Sequence, residues 1–196
     1  LLELTGESIS APSANRSGEV SPTRAEHVME DFADVRDLIV IDGGPCELGI
    51  ESTVLDLTVR TPRILRPGTV TAADLRLVLG EVNDPVSREQ GISPGTAESH
   101  YAPATPAHMV DGEALRERLA RSTQNAVALC FDASIARPPH RAIVMSRDPD
   151  RYARELYHAL RQADDMAAEM ILIERPPPGE RWNAVHDRLS RATAGQ

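Results

Sequence analysis

Residues 8–23 crowd serines, a threonine and Asn15 around Pro12, Gly18 and Pro22. Short hydroxyls and an amide beside turn-forming residues give a loop donors for phosphate or sugar oxygens. Ser21-Pro22 predicts a helix start, with the serine as N-cap and the proline at the first helical position. The N–H groups and partial positive charge of a helix N-terminus suit an anion. The same residues also fit a surface loop that only caps a helix. A second cluster runs from Gly43 to Thr53, where a glycine turn leads through Glu51-Ser52-Thr53 into a further strand. Hydroxyls at the mouth of a sheet can hold a polar ligand, or they edge an ordinary hairpin-like turn. Cys46 reads as a turn residue, since no histidine lies near it in sequence to activate a thiolate.

Arg66 stands at the end of Ile-Leu-Arg-Pro-Gly, where a guanidinium before a Pro-Gly turn can clamp a phosphate with two hydrogen bonds. It also reads as a surface arginine. Residues 93–103 place His100 and Tyr101 side by side in a stretch rich in proline and glycine. A spacer needs only flexibility, so an imidazole next to a phenol points to a strap lying over something, or to a tyrosine docked on a domain surface. The chain has no P-loop, no G-x-G-x-x-G and no H-E-x-x-H. Asp148, Asp150, Asp164 and Asp165 read as solvated charges at helix ends, and no metal site is expected.

The elements that must position these groups follow from periodicity. A helix from Pro22 would bury Ala25, Val28, Met29 and Phe32. Residues 38–41 form an apolar run of strand length, residues 52–58 alternate, and residues 63–66 form a short strand. Thr71 to Asp74 carries a capping-box pattern that opens a helix burying Leu75, Val78 and Leu79. Periodicity vanishes over 83–107. Beyond it, strands at 108–110, 126–131, 142–145 and 170–173 alternate with helices over 113–121, from Asp148, and from Glu180. The helix from Asp148 carries the stripe Tyr152, Leu156, Leu160 and Ala163. This alternation predicts a small open α/β sheet of parallel strands. The organisation expected is therefore 1–82, a linker at 83–107, and a second unit at 108–196.

Composition sets further bounds. Apolar residues make up 41% of the chain but aromatics only 3%, so packing must rest on aliphatic side chains and alanine. A net charge of −9 and a pI near 5.1 argue against broad binding of phosphate backbones and of anionic membrane surfaces. They leave room for one nucleotide held by local groups. Two cysteines are too few for a disulfide framework and fit a reduced, cytoplasmic setting. No signal peptide or span-length apolar run is visible. The chain begins Leu-Leu-Glu, which suggests a cut rather than a natural start.

Taken in order, Ser-Ala-Asn-x-Ser-Gly at Ser13, Ser-Pro-Thr at Ser21, Asp-Gly-Gly at Asp42, Glu-Ser-Thr-Val at Glu51, Ile-Leu-Arg-Pro-Gly at Ile64 and Ser-Pro-Gly…His-Tyr-Ala-Pro at Ser93 resemble the threonylcarbamoyl-AMP synthase family. The resemblance is to its two-domain form, a YrdC-type catalytic domain followed by a linker and a small Rossmann-like domain. It implies the C-terminal half of the YrdC-type twisted sheet, then the linker, then the parallel-sheet domain.

The implied activity joins L-threonine, bicarbonate and ATP into threonylcarbamoyl-AMP with release of pyrophosphate. The product would feed a tRNA threonylcarbamoyl-transferase machinery, Mg²⁺ is an implied companion, and the acidic balance weighs against direct tRNA binding. Ser13, Asn15, Ser21 and Arg66 would face ATP, with His100 and Tyr101 in a linker closing over it. Ser52 and the backbone at Ala11 would lie beside threonine. No side chain would act as nucleophile.

The family's basic Lys/Arg motif precedes Leu1 in this comparison, so the 196 residues alone are expected to be inactive and to expose apolar surface. Thr96-Ala97-Glu98 departs from the aromatic or basic residues frequent there. The competing class is a binding module that holds a nucleotide or RNA in the same groove without catalysis.

Overall fold

The computed structural model describes residues 2–84 and 100–194. Its centre is a four-stranded parallel sheet in the order β3-β6-β4-β5, built from β3 (Ala107–Val110), β4 (Ala126–Cys130), β5 (Arg141–Val144) and β6 (Met170–Glu174). Side chains alternate across the pleat, so the strands sort their residues onto two faces. Ala126, Ala128, Cys130 and Leu172 meet Leu115 and Leu119 of α4 (Gly112–Arg121) on one face. Val127, Leu129, Ile171 and Ile173 meet α5 (Pro149–Asp165) and α6 (Asn183–Ala192) on the other. All of the stripe expected on α5 is buried, and Asp148 caps it by accepting from the Arg151 N–H at 2.9 Å. At the carboxyl end of the sheet, the Glu174 carboxylate accepts from the Phe131 N–H at 2.8 Å and lies against Gly112, where a Cβ would meet its Oε1 at 2.8 Å. A side chain of the chain itself thus fills the crevice where open α/β sheets commonly take ligands.

The first part of the chain has much less regular structure. A single turn, α1 (Leu2–Thr5), precedes a long loop and α2 (Ala25–Asp31). The strands β1 (Val54–Asp56) and β2 (Arg63–Arg66) pair antiparallel, and α3 (Ala72–Leu79) follows. Thr71 and Asp74 form the expected capping box. Other expectations are corrected. Residues 38–41 form no strand, and Ile39 is 85% exposed, because no other described segment lies alongside to complete a ladder. The helix begins at Ala25 rather than Pro22, and Arg24 rather than Ser21 is its N-cap. It buries His27 and leaves Met29 exposed, while α3 leaves Val78 and Leu79 exposed. Asp164 is no loose helix-end charge: it accepts from the N–H groups of Ala104 and Thr105 at 3.0 and 2.8 Å.

The first unit's own buried cluster consists of Ile64, Ala72 and Val82. Its other buried apolar residues, Val20 and Ile50, join the core on the α5–α6 face, as does Tyr101. The first unit is therefore held mainly by packing on α5 and α6. Large apolar side chains such as Leu4, Ile41, Leu57 and Leu77 remain more than half exposed, matching the expectation of uncovered surface.

Polar contacts register the two units against each other. Asp31 receives both terminal nitrogens of Arg161, at 2.7 and 2.6 Å. The Thr23 N–H donates to His27 Nδ1 at 3.1 Å, which leaves the His27 proton on Nε2, facing His158 Nδ1 at 3.3 Å. Burial, with Arg161 and Arg24 nearby, holds His27 below the usual imidazole range, and burial with Arg24 does the same for His158. Gly49 has φ +78°, and a Cβ there would meet the Arg154 backbone at 2.4 Å. Only glycine allows this approach. Gly49→Ala is expected to lower stability by about 2 kcal/mol or more in denaturant unfolding, through strain and clash together. An unchanged midpoint would count against this contact as a docking point.

Candidate functional site

A cleft of about 500 Å³ is lined by Ala11, Pro12, Ser13, Glu51, Ser52 and Arg66 of the first unit and by His100 and Tyr101 at the end of the linker. The β1–β2 ladder puts Arg66 directly opposite Val54, so its guanidinium reaches back over the turn that enters β1. Its Nε and Nη2 donate to the Ser52 carbonyl at 3.2 and 3.0 Å. The Pro67-Gly68 turn packs so closely that a Cβ on Gly68 would meet the Thr53 nitrogen at 2.2 Å. The Ser52 hydroxyl makes no hydrogen bond among the described residues and lies on the cleft wall.

The opposite wall is the loop carrying Ser13. Ser13 Oγ donates to Asn15 Oδ1 at 2.5 Å, so in this arrangement Ser13 offers the cleft only lone pairs. Asn15 points into its own loop: both amide hydrogens go to main-chain carbonyls, of Arg16 at 3.0 Å and of Glu19 at 2.9 Å. Asn15 therefore shapes the loop and presents Ser13. Ser21 is likewise off the cleft wall. It is buried, and its hydroxyl donates to Glu51 Oε1 at 2.7 Å.

The floor is a charged network that periodicity and family resemblance both missed. Arg188 on α6 is 0% exposed. Its Nε donates to Glu51 Oε2 at 2.9 Å, its Nη2 to the Glu51 carbonyl at 3.2 Å and its Nη1 to Asp187 at 2.5 Å. The Tyr157 hydroxyl adds a bond to Glu51 Oε2 at 2.8 Å. Tyr101, 1% exposed, stacks on Tyr157 at 5.3 Å between ring centres and has the Arg188 guanidinium 5.4 Å from its own. Tyr101 takes φ +61°, an uncommon backbone state for a residue with a Cβ. That turn sets the His100 ring edge-on to it, 4.1 Å away. A pattern in the sequence could have found Arg188: it falls on the stripe Val185, Leu189, Ala192, and a charge on a buried stripe requires a buried partner.

Electrostatics follow from this packing. Burial alone would push the Glu51 carboxyl up, but Arg188 and the donors from Ser21 and Tyr157 outweigh it and hold the group below the usual carboxylate range. Burial lowers His100 below the usual imidazole range and raises the Tyr101 phenol. Among the described residues no group of three His, Cys, Asp or Glu side chains could hold a metal ion. The one carboxylate in the cleft, Glu51, is already spent on Arg188, Tyr157 and Ser21.

A carboxyl held low contributes stability above its unfolded value of 4.5 and loses it as pH falls through the folded value. Glu51→Gln is therefore expected to cost about 3 kcal/mol at pH 7, where it leaves the buried Arg188 with Asp187 as its one carboxylate partner. The gap to the unsubstituted protein should close as pH falls below 4.5 and through the lower folded value. Urea midpoints at several pH values measure it, and a gap that stays constant would contradict the assignment.

Residues 70–194 match the family model described as threonylcarbamoyl-AMP synthase, C-terminal domain, and residues 1–68 match one described as telomere recombination. Threonylcarbamoyl-AMP synthase of Bacillus subtilis is 34% identical across all of this chain and 60% of its own length. That of Pyrococcus abyssi is also 34% identical, over 98% of this chain and 60% of its own. A crystal structure of P. abyssi Sua5 complexed with L-threonine superposes with a TM-score of 0.81 at 31% identity, covering 98% of this chain and 59% of that one. A substituted form of the same protein gives 0.84 at 30% identity. The chain thus spans about 60% of the length of these relatives. It belongs to the threonylcarbamoyl-AMP synthase family.

Proposed function

We propose that the cleft is the nucleotide- and threonine-facing part of an L-threonylcarbamoyladenylate synthase working in the cytoplasm. The observation that carries this reading is the convergence of Ser13, Ser52, Arg66, His100 and Tyr101, from segments far apart in sequence, on one cleft in a chain of this family. In the reaction, the threonine amine and bicarbonate condense to a carbamate with loss of water. A carbamate oxygen attacks the α-phosphorus of ATP, and pyrophosphate leaves with the bonding electrons. The protein must align two anions and neutralise charge as it builds on the phosphoryl oxygens.

In this reading Arg66 supplies the fixed positive charge, and Ser13 turns its hydroxyl from Asn15 towards a phosphate oxygen. Ser52 and the backbone at Ala11 hold threonine, and His100 and Tyr101 cover the pair. Ser21 and Asn15 act from behind the wall. Among the described residues the cleft's one carboxylate, Glu51, is taken up by Arg188, Tyr157 and Ser21, and magnesium is proposed to arrive with the ATP substrate. The chain contains no lysine, its 21 cationic residues all being arginine, so the family's Lys-Arg pair is not among these 196 residues. The product would pass to a tRNA threonylcarbamoyl-transferase machinery.

The test uses protein made from the complete coding sequence, with pyrophosphate release measured in threonine, bicarbonate and Mg·ATP. Turnover is expected, with kcat/KM reduced about 100-fold by Arg66→Ala and about 10-fold by Ser52→Ala. ATP binding without pyrophosphate release would instead favour a non-catalytic nucleotide-binding module.

A further inference from the structure

The C-terminal unit contributes no side chain to the wall of the cleft, yet its α6 reaches the cleft floor. Two guanidiniums grip consecutive carbonyls there. Arg188, from α6, holds that of Glu51, and Arg66, from β2, holds that of Ser52. The two peptide groups that flank the Ser52 α-carbon are thus held one from each unit, which fixes the backbone that carries the Ser52 hydroxyl. The Glu51 side chain fixes the second end, through Ser21 on the loop behind and Tyr157 on α5. Tyr101 lies across the same guanidinium, and the main-chain N–H of His100 donates to the carbonyl of Arg191, one turn along α6, at 3.4 Å.

We propose that Arg188 is a positioning residue for the cleft: it acts through Glu51 to hold the backbone on either side of Ser52. This gives the C-terminal unit a defined part in ligand binding, and it rests on the synthase reading above. A cation that served only to fill the core would be replaceable by any group that restored packing. A fork that aims a peptide would not be, since a guanidinium offers five N–H donors in a fixed plane and an ammonium offers a single point charge.

The consequence is specific to one substrate. Arg188→Lys keeps the charge opposite Glu51 and Asp187 but cannot reach Nε, Nη1 and Nη2 partners together. In the full-length protein it should raise the KM for threonine about 10-fold while the KM for ATP stays within about 2-fold, because Ser52 faces threonine and Arg66 is untouched. Arg188→Gln with Glu51→Gln removes both charges and leaves neutral hydrogen-bonding groups, and should show the same split with thermal stability recovered relative to Arg188→Gln alone. Equal rises in both KM values, or no change in either, would overturn the proposal while leaving the synthase reading intact. Absence of turnover in the unsubstituted full-length protein would overturn that reading and this proposal together.

Discussion

A fully buried guanidinium with a carboxylate against it is the contact on which the two units depend. Burying Arg188 costs several kcal/mol of hydration, which only near-complete hydrogen bonding can offset. Every nitrogen of the guanidinium has an acceptor: the Glu51 carboxylate, the Glu51 carbonyl or Asp187. Such a pair adds little net stability over a well-packed apolar replacement, but it tolerates no misalignment. It therefore sets the register of the loop bearing Glu51 on α5 and α6, and Gly49, the Asp31–Arg161 pair and the His27–His158 contact follow within that register.

The consequence is that a cleft lined by the first unit and the linker end is supported from beneath by the second unit. Its walls come from the loop at Ser13, the β1–β2 ladder and the end of the linker, while its floor rests on α6. The first unit has too small a buried cluster of its own to hold these pieces rigid. The adenylation proposed above would need precise placement of the hydroxyl and guanidinium groups, and that placement rests on packing against a neighbouring parallel sheet.

How much of this could be read from the sequence depended on where each element finds its partners. In the second unit the strands pair with one another and the helices cover them, so hydrophobic period and structure agree from β3 to α6. Residues 38–41 have the composition of a strand but no ladder within the described residues, and composition alone cannot supply one. Ser21-Pro22 has a good cap sequence, yet a buried carboxylate competes for the serine hydroxyl and the helix starts later. At the site, residue type was enough to bring attention to Ser13, Ser52, Arg66, His100 and Tyr101. The roles of Asn15 and Ser21 behind the wall depend on tertiary hydrogen bonds that no local pattern encodes. The Ser93-Pro94-Gly95 motif and Thr96-Ala97-Glu98 lie outside the described residues.

The central claim is that α6 holds the cleft in shape, and amide hydrogen exchange tests it most directly. In the full-length protein, Arg188→Lys should speed exchange at residues 51–53, distant from α6 in sequence. Strands β4 and β6, which lie behind the helix, should keep their protection. Loss of protection confined to α6 itself, or spread evenly over the second unit, would contradict the account.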